Sequence, residues 1–222
     1  ADNHGGQIQV VSTKEDFPLD MEAIEATISK RTKVVLINSP NNPTGQVYDR
    51  DSLEDLGDLL RTSSSKLWKN LYLVSDEPYR KIVYDGVEVP SILESYPNSI
   101  VATSYSKDVS LPGERLGYLV VHPEADQVDD LMGGIILANR ILGFVNAPAL
   151  MQRVVQYLQG TCVDVGVYRA RRDRFCQGLK DAGYEFIKPR GAFYLFPKSP
   201  ISDDVAFVRL LQEENILAVP GS

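Results

Sequence analysis

Three short apolar runs recur along the chain, and each gives way to polar residues and then to helical periodicity. They are Lys33-Val-Val-Leu-Ile37, Leu71-Tyr-Leu-Val74 and Ser99-Ile-Val-Ala-Thr103. Continuous runs of this length predict strands buried on both faces, the pattern of a parallel sheet. Between the first two, Leu53, Leu56 and Leu60 recur at helical spacing over residues 51–60. Upstream, Asp20 stands as an N-cap ahead of Ile24 and Ile28 on one helix face. Residues 116–121 read as a fourth strand and 7–11 as a further short one. A β-α-β-α rhythm needs crossover helices, so the expected fold class is α/β with a mostly parallel sheet.

The second half changes character. Residues 123–160 read as mostly helical, broken near Gly143 and Pro148, and 163–182 as one long helix closed by Gly183. Residues 184–187 and 192–196 are expected to pair as strands. A helix over 202–214, with Val205, Val208 and Leu211 on one face, precedes a last strand at 216–219. This predicts a large domain over 1–160 and a smaller α/β unit over 161–222. The opening Ala1-Asp-Asn-His-Gly-Gly6 and the closing Val219-Pro-Gly-Ser222 are expected to be cut ends of an internal fragment.

Charge and composition exclude several roles. Lys and Arg number 23 against 30 Asp and Glu, a net charge of −7 over 222 residues. Such a surface repels phosphate backbones, so nucleic acid is not an expected partner. Arg169, Arg171, Arg172 and Arg174 on the long helix read as a solvated, salt-bridged face. No apolar run approaches the ~18 residues of a membrane span, and the opening residues do not read as a secretory signal. Cys162 and Cys176 make no disulfide framework, which fits a reduced, cytoplasmic setting. His4 and His122 lack carboxylate or cysteine neighbours at ligand spacing, so no metal site is expected.

In a parallel sheet, ligands bind beyond the carboxyl ends of the strands. The first run is followed by Asn38-Ser-Pro-Asn-Asn-Pro-Thr-Gly45, the second by Ser75-Asp-Glu-Pro-Tyr79 and the third by Ser104-Tyr-Ser-Lys107. Asn42, Asp76 and Lys107 lie 34 and 31 residues apart, each interval about one βαβ unit of ~30 residues. Amide, carboxylate and amine are therefore expected on one rim. A second cation, Arg115, is expected to lower the amine pKa of Lys107 and make it a nucleophile. An aldehyde cofactor would then be held as a Schiff base, with Asp76 keeping a ring nitrogen protonated so that the ring acts as an electron sink. Asn and Tyr donors suit a phenolate oxygen, and Arg and Ser suit a phosphate.

Asn41-Asn-Pro-Thr-Gly45, Asp76-Glu-Pro-Tyr79, Ser104-Tyr-Ser-Lys107 and Leu111-Pro-Gly-Glu-Arg-Leu-Gly-Tyr118, in this order, resemble the class I/II, fold-type I pyridoxal-phosphate aminotransferases of the aspartate aminotransferase-like group. The resemblance implies a partial three-layer α/β/α large domain and part of a smaller α/β C-terminal domain. It implies pyridoxal 5′-phosphate as cofactor and transamination between an amino acid and a 2-oxo acid of aspartate or aromatic type. Lys107 matches the Schiff-base lysine, Asp76 the partner of the pyridinium nitrogen, and Tyr79 and Asn42 the groups on the 3′ oxygen. Ser104 and Arg115 match phosphate ligands, with Ser106 a further contact. Gly191-Ala-Phe-Tyr194 resembles the family's small-domain strand near the substrate, although an ordinary packed strand explains it equally well. The family's glycine-rich phosphate loop, its ring-stacking aromatic residue and its C-terminal carboxylate-binding arginine have no match here, which implies impaired turnover. A homodimer is implied for the full-length protein, with residues 139–151 near its interface or simply buried within one chain. A carbon–sulfur β-lyase of the same fold and a non-catalytic binding module are the alternatives.

Overall fold

The computed structural model describes residues 5–222, so His4 lies outside it. Its sheet has four strands, β1 (Val34–Asn38), β2 (Tyr72–Asp76), β3 (Ser99–Ser104) and β4 (Gly117–Val121), in the order β1-β2-β3-β4. The first three are parallel and in register: Asn38 stands opposite Asp76, and Asp76 opposite Ala102. β4 runs antiparallel to β3, with Ser104 opposite Gly117. Between β3 and β4 lie only the short helix α4 (Tyr105–Asp108) and a 3-10 turn at Pro112–Glu114, too little for a parallel crossover. The α/β class and the mostly parallel sheet thus stand as expected.

Helices α1 (Met21–Thr27), α2 (Arg50–Leu67) and α3 (Ile92–Ser95) build the core on one face of this sheet. Asp20 caps α1 by accepting from Ala23 N at 3.1 Å, and Asp49 caps α2 by accepting from Ser52 N at 2.9 Å. Leu53, Leu56 and Leu60 of α2 pack with Ile37, Leu73 and Val101 of the strands and with Ile92 and Tyr96. The helix runs on past residue 60 with Ser63 also buried, and it ends at Trp68 in the left-handed region (φ 53°).

The expectation that β1 is buried on both faces is corrected. Val34 and Leu36 point away from the helical layer and are 48% and 66% exposed, because side chains alternate along a strand and α1–α3 cover one face. Residues 7–11 form no strand: Ile8 and Val10 are exposed and pair with no edge.

Farther along come α5 (Val128–Ile141), α6 (Ala149–Gln156), α7 (Val165–Asp181) and α8 (Asp204–Glu213). The helices fall where the periodicity places them, and Gly183 (φ 80°) follows the end of α7. No residue of α5 is buried, so burial within the chain does not account for its apolar side chains. The expected strand pair of 184–187 and 192–196 is absent. Ala192 N, at the head of the second segment, donates instead to Ile82 O at 2.9 Å, and Arg190 N and Gly191 N just before it donate to Gly45 O at 2.8 and 2.9 Å. A single bridge, Val83 to Gly191, is what remains. Residues 216–219 are likewise exposed and unpaired with any strand. Among the described residues no helix is long and apolar enough to cross a membrane, and no group of three or more His, Cys, Asp or Glu is placed to hold a metal.

Two substitutions test this packing. Leu56→Ala, at a fully buried position, is expected to cost about 2–5 kcal/mol in urea unfolding. Trp68→Gly removes a left-handed, 94% exposed residue and is expected to leave stability unchanged or raise it by up to about 1 kcal/mol.

Candidate active site

The register of β1 and β2 brings the first two loops together through a residue that the strand-end reading passed over. Asn38 is the last residue of β1, and its Nδ2 donates to Asp76 O at 2.8 Å and to Asp76 Oδ2 at 3.2 Å. Its Oδ1 accepts from Asn42 N at 2.6 Å. One amide thereby ties the Asn42 loop to the Asp76 carboxylate. The signal was available: a polar side chain at the carboxyl end of an apolar run, beside a known carboxylate. The rest of that loop is self-bracing, since Asn41 Oδ1 accepts from Thr44 N at 3.1 Å and Thr44 Oγ1 at 2.8 Å. At Gly45 (φ 69°) a Cβ would collide with Pro189, so the loop also fixes the approach of the later segment.

Asp76 is half-buried, and burial pushes its carboxyl pKa up. Asn38 is a donor to it, yet among the described residues no Lys or Arg lies within ion-pair reach. A desolvated carboxylate without a cation is costly, and it suits a cationic N–H supplied by a ligand.

The third strand end carries Lys107. Ser104 caps α4, its Oγ accepting from Ser106 N at 3.4 Å. Beneath this helix, Asp108 is buried and pairs with Lys81 Nζ at 2.9 Å, and its carbonyl accepts from Val163 N at 2.6 Å. The α4 turn is thus held from the β2 side and from the start of α7. Lys107 Nζ lies 5.9 Å from the Tyr79 ring centroid and 5.8 Å from that of Phe193. Tyr79 meets Phe193 and Tyr194 edge-on, at 5.2 and 5.7 Å, and Tyr168 of α7 stacks on Phe193 at 5.6 Å. The Tyr79 and Tyr194 hydroxyls are 2.8 Å apart. Burial, and then the bond to Tyr194, push the Tyr79 phenol pKa upward.

Of the seven sequence-derived residues, Asn42 and Asp76 are therefore joined through Asn38, and Tyr79 and Lys107 are neighbours. Ser104 and Ser106 sit at the start of the lysine's own helix. Arg115 lies two residues before Gly117, which pairs with Ser104, and so shares this rim. It is exposed, in the left-handed region, and its Nη1 donates to Pro112 O at 2.6 Å. No contact between Arg115 and Lys107 is seen, so the second cation expected to act on the lysine is engaged with its own loop. Two open hollows, of about 220 and 310 Å³, include none of the seven. The smaller is lined by Thr103, Tyr118 and Val120, which alternation puts on the sheet face opposite Asp76. The candidate site is an open rim.

The Asp76 pKa gives a stability test. A carboxyl raised above its unfolded value opposes folding when ionised; the penalty is absent below about pH 4 and complete once the pH passes the folded-state value. Asp76→Asn is expected to raise the urea midpoint at pH 7, with the difference vanishing in acid.

Comparison with known proteins agrees with this geometry. The family described as aminotransferase class I and II matches residues 1–222. The probable aspartate aminotransferase of Methanocaldococcus jannaschii is 35% identical over 97% of this chain and 57% of its own length. Aromatic-amino-acid aminotransferase 2 of Thermococcus litoralis is 30% identical, covering 98% of this chain and 57% of that protein. Among solved structures, an amino transferase from Eubacterium rectale superposes with a TM-score of 0.91 and 41% identity, over 94% of this chain and 53% of that one. The chain spans about half the length of the curated relatives it matches. With the match running over all 222 residues, and with the parallel strand ends arranged as described, the chain belongs to the class I and II aminotransferase family.

Proposed function

We propose that this chain holds pyridoxal 5′-phosphate on the rim at the ends of β1, β2 and β3, and that the protein transfers amino groups between an amino acid and a 2-oxo acid. The observation that carries the reading is the half-buried Asp76 carboxylate, which has Asn38 as donor and, among the described residues, no cation within ion-pair reach. When bound, the cofactor supplies a conjugated cationic ring that withdraws electrons from the substrate Cα.

Every other part of the reaction falls to this chain's side chains. Asp76, ionised, keeps the ring nitrogen protonated, which is the condition for electron withdrawal. Asn42 and Tyr79 donate to the ring oxygen. Ser104, Ser106 and Arg115 would bind the phosphate, with Arg115 Nη1 drawn from its present partner, Pro112 O. Lys107 would hold the cofactor through its amine and, once free, would move a proton at the substrate Cα as general base and acid. The aromatic wall of Tyr79, Phe193 and Tyr168 limits water near its amine.

Aspartate or aromatic amino acids are the proposed donors, because the relatives bear names of both types. We also assign residues 1–160 to a partial large cofactor-binding domain and 161–222 to a partial small one. Homodimerisation and a cytoplasmic setting belong to the same proposal.

Borohydride reduction of the chain after mixing with an equimolar amount of pyridoxal phosphate tests the reading. Peptide mass spectrometry is expected to find the pyridoxyl group on Lys107 and to lose it in Lys107→Ala. An adduct scattered over other lysines, or none, would sink the assignment.

A further inference from the structure

Tyr194 is held where it is by backbone, independently of any ligand. The segment before it is fastened at Gly45 O by two N–H groups and at Ile82 O by a third, while Tyr84 N donates to Arg190 O at 2.9 Å. Arg172, buried on α7, adds a bond from Nη1 to Pro189 O at 3.1 Å. At Gly191 a Cβ would come within 2.7 Å of Pro40 Cβ, so only glycine allows this close approach to the loop after β1. These constraints deliver the Tyr194 hydroxyl to within 2.8 Å of the Tyr79 hydroxyl.

Two phenols at that distance own two protons and share one of them. If Tyr79 donates to Tyr194, its oxygen can only accept from a ligand. If Tyr194 donates, the Tyr79 proton is released for an acceptor outside the pair. The second arrangement is the one an anionic ring oxygen selects, because Tyr79, whose ring lies 5.9 Å from Lys107 Nζ, then has a proton to give. Accepting one hydrogen bond also makes a hydroxyl a stronger donor in the next.

We infer that Tyr194 is a positioning residue for the cofactor site: its hydroxyl donates to Tyr79, orienting the Tyr79 proton toward the ring oxygen and strengthening that bond. The inference rests on the proposed pyridoxal-phosphate reading and adds a member to it. Tyr194 touches neither ring nor substrate in this role. It acts on the proton that the ring oxygen shares with the Lys107 nitrogen, because an oxygen that loses donor strength holds that proton more tightly.

The test is a pH titration of the visible absorbance of the pyridoxal-phosphate-loaded chain, in wild type, Tyr194→Phe, Tyr79→Phe and the double variant. Phenylalanine keeps the aromatic packing and deletes only the hydroxyl. In Tyr194→Phe the titration midpoint is expected to rise by about half a pH unit, roughly a threefold change in proton affinity, a size fitting a cooperative rather than a direct bond. Tyr79→Phe is expected to move it further, and adding Tyr194→Phe to Tyr79→Phe is expected to change nothing more. A Tyr194→Phe midpoint equal to wild type, or an undiminished shift in the Tyr79→Phe background, overturns the inference alone. Failure of the wild-type chain to load at Lys107 overturns the proposed function and this inference with it.

Discussion

The parallel ladder of β1, β2 and β3 is the constraint from which the site follows. Parallel strands all end on the same edge of the sheet, so the loops leaving them must share that edge. The register makes this specific: Asn38, Asp76 and Ala102 lie side by side across the three strands. What holds the ladder is the apolar layer of Leu53, Leu56, Leu60, Leu73 and Ile92 on one face. Burial on that face places the strand ends, and the polar groups there, Asn38 among them, then fix the loops to one another.

A second framework ties the chain from α7 onward to that edge. Arg172 is buried, and its guanidinium pairs with Asp85 and Asp173, donates to Pro189 O and lies 4.4 Å over the Tyr84 ring. A buried cation tolerates burial only when its donors are met, and here they are met by groups from α7, from the stretch after β2 and from the segment before Gly191. With Val163 N on Asp108 O, this fixes residues 163–192 against the first strands. The sequence gives no hint of it: Arg172 sits among four arginines that read as a solvated face, and only tertiary contact distinguishes the buried one.

Local pattern carried the rest unevenly. Apolar periodicity located α2 and α8, the Asp20 cap with Ile24 and Ile28 located α1, and Gly183 marked the end of α7; the caps at Asp49, Asp164 and Asp203 are added by the structure. The three parallel strands were legible in the same way, as short β-branched runs with polar ends. Pairing was less so. Residues 192–196 have the composition of a strand, yet Ala192 N donates to Ile82 O and not to residues 184–187. Burial on both faces was overestimated for β1, since apolar composition states what a strand can bury and not what covers it. The seven candidate residues lie at neighbouring strand ends, whereas the contacts of Asn38 with Asp76 and of Tyr194 with Tyr79 span 38 and 115 residues of sequence, and local pattern could not pair them.

The central proposal is electrostatic: Asp76, which has no cation partner among the described residues, takes a ring N–H as its partner. The most direct measurement is the ¹⁵N spectrum of pyridoxal phosphate labelled at the ring nitrogen and bound to this chain. The account predicts a protonated ring nitrogen at neutral pH, which reverts to the neutral form when Asp76 is replaced by Ala. A bound ring nitrogen that is unprotonated in the wild-type chain, or indifferent to Asp76, would contradict it.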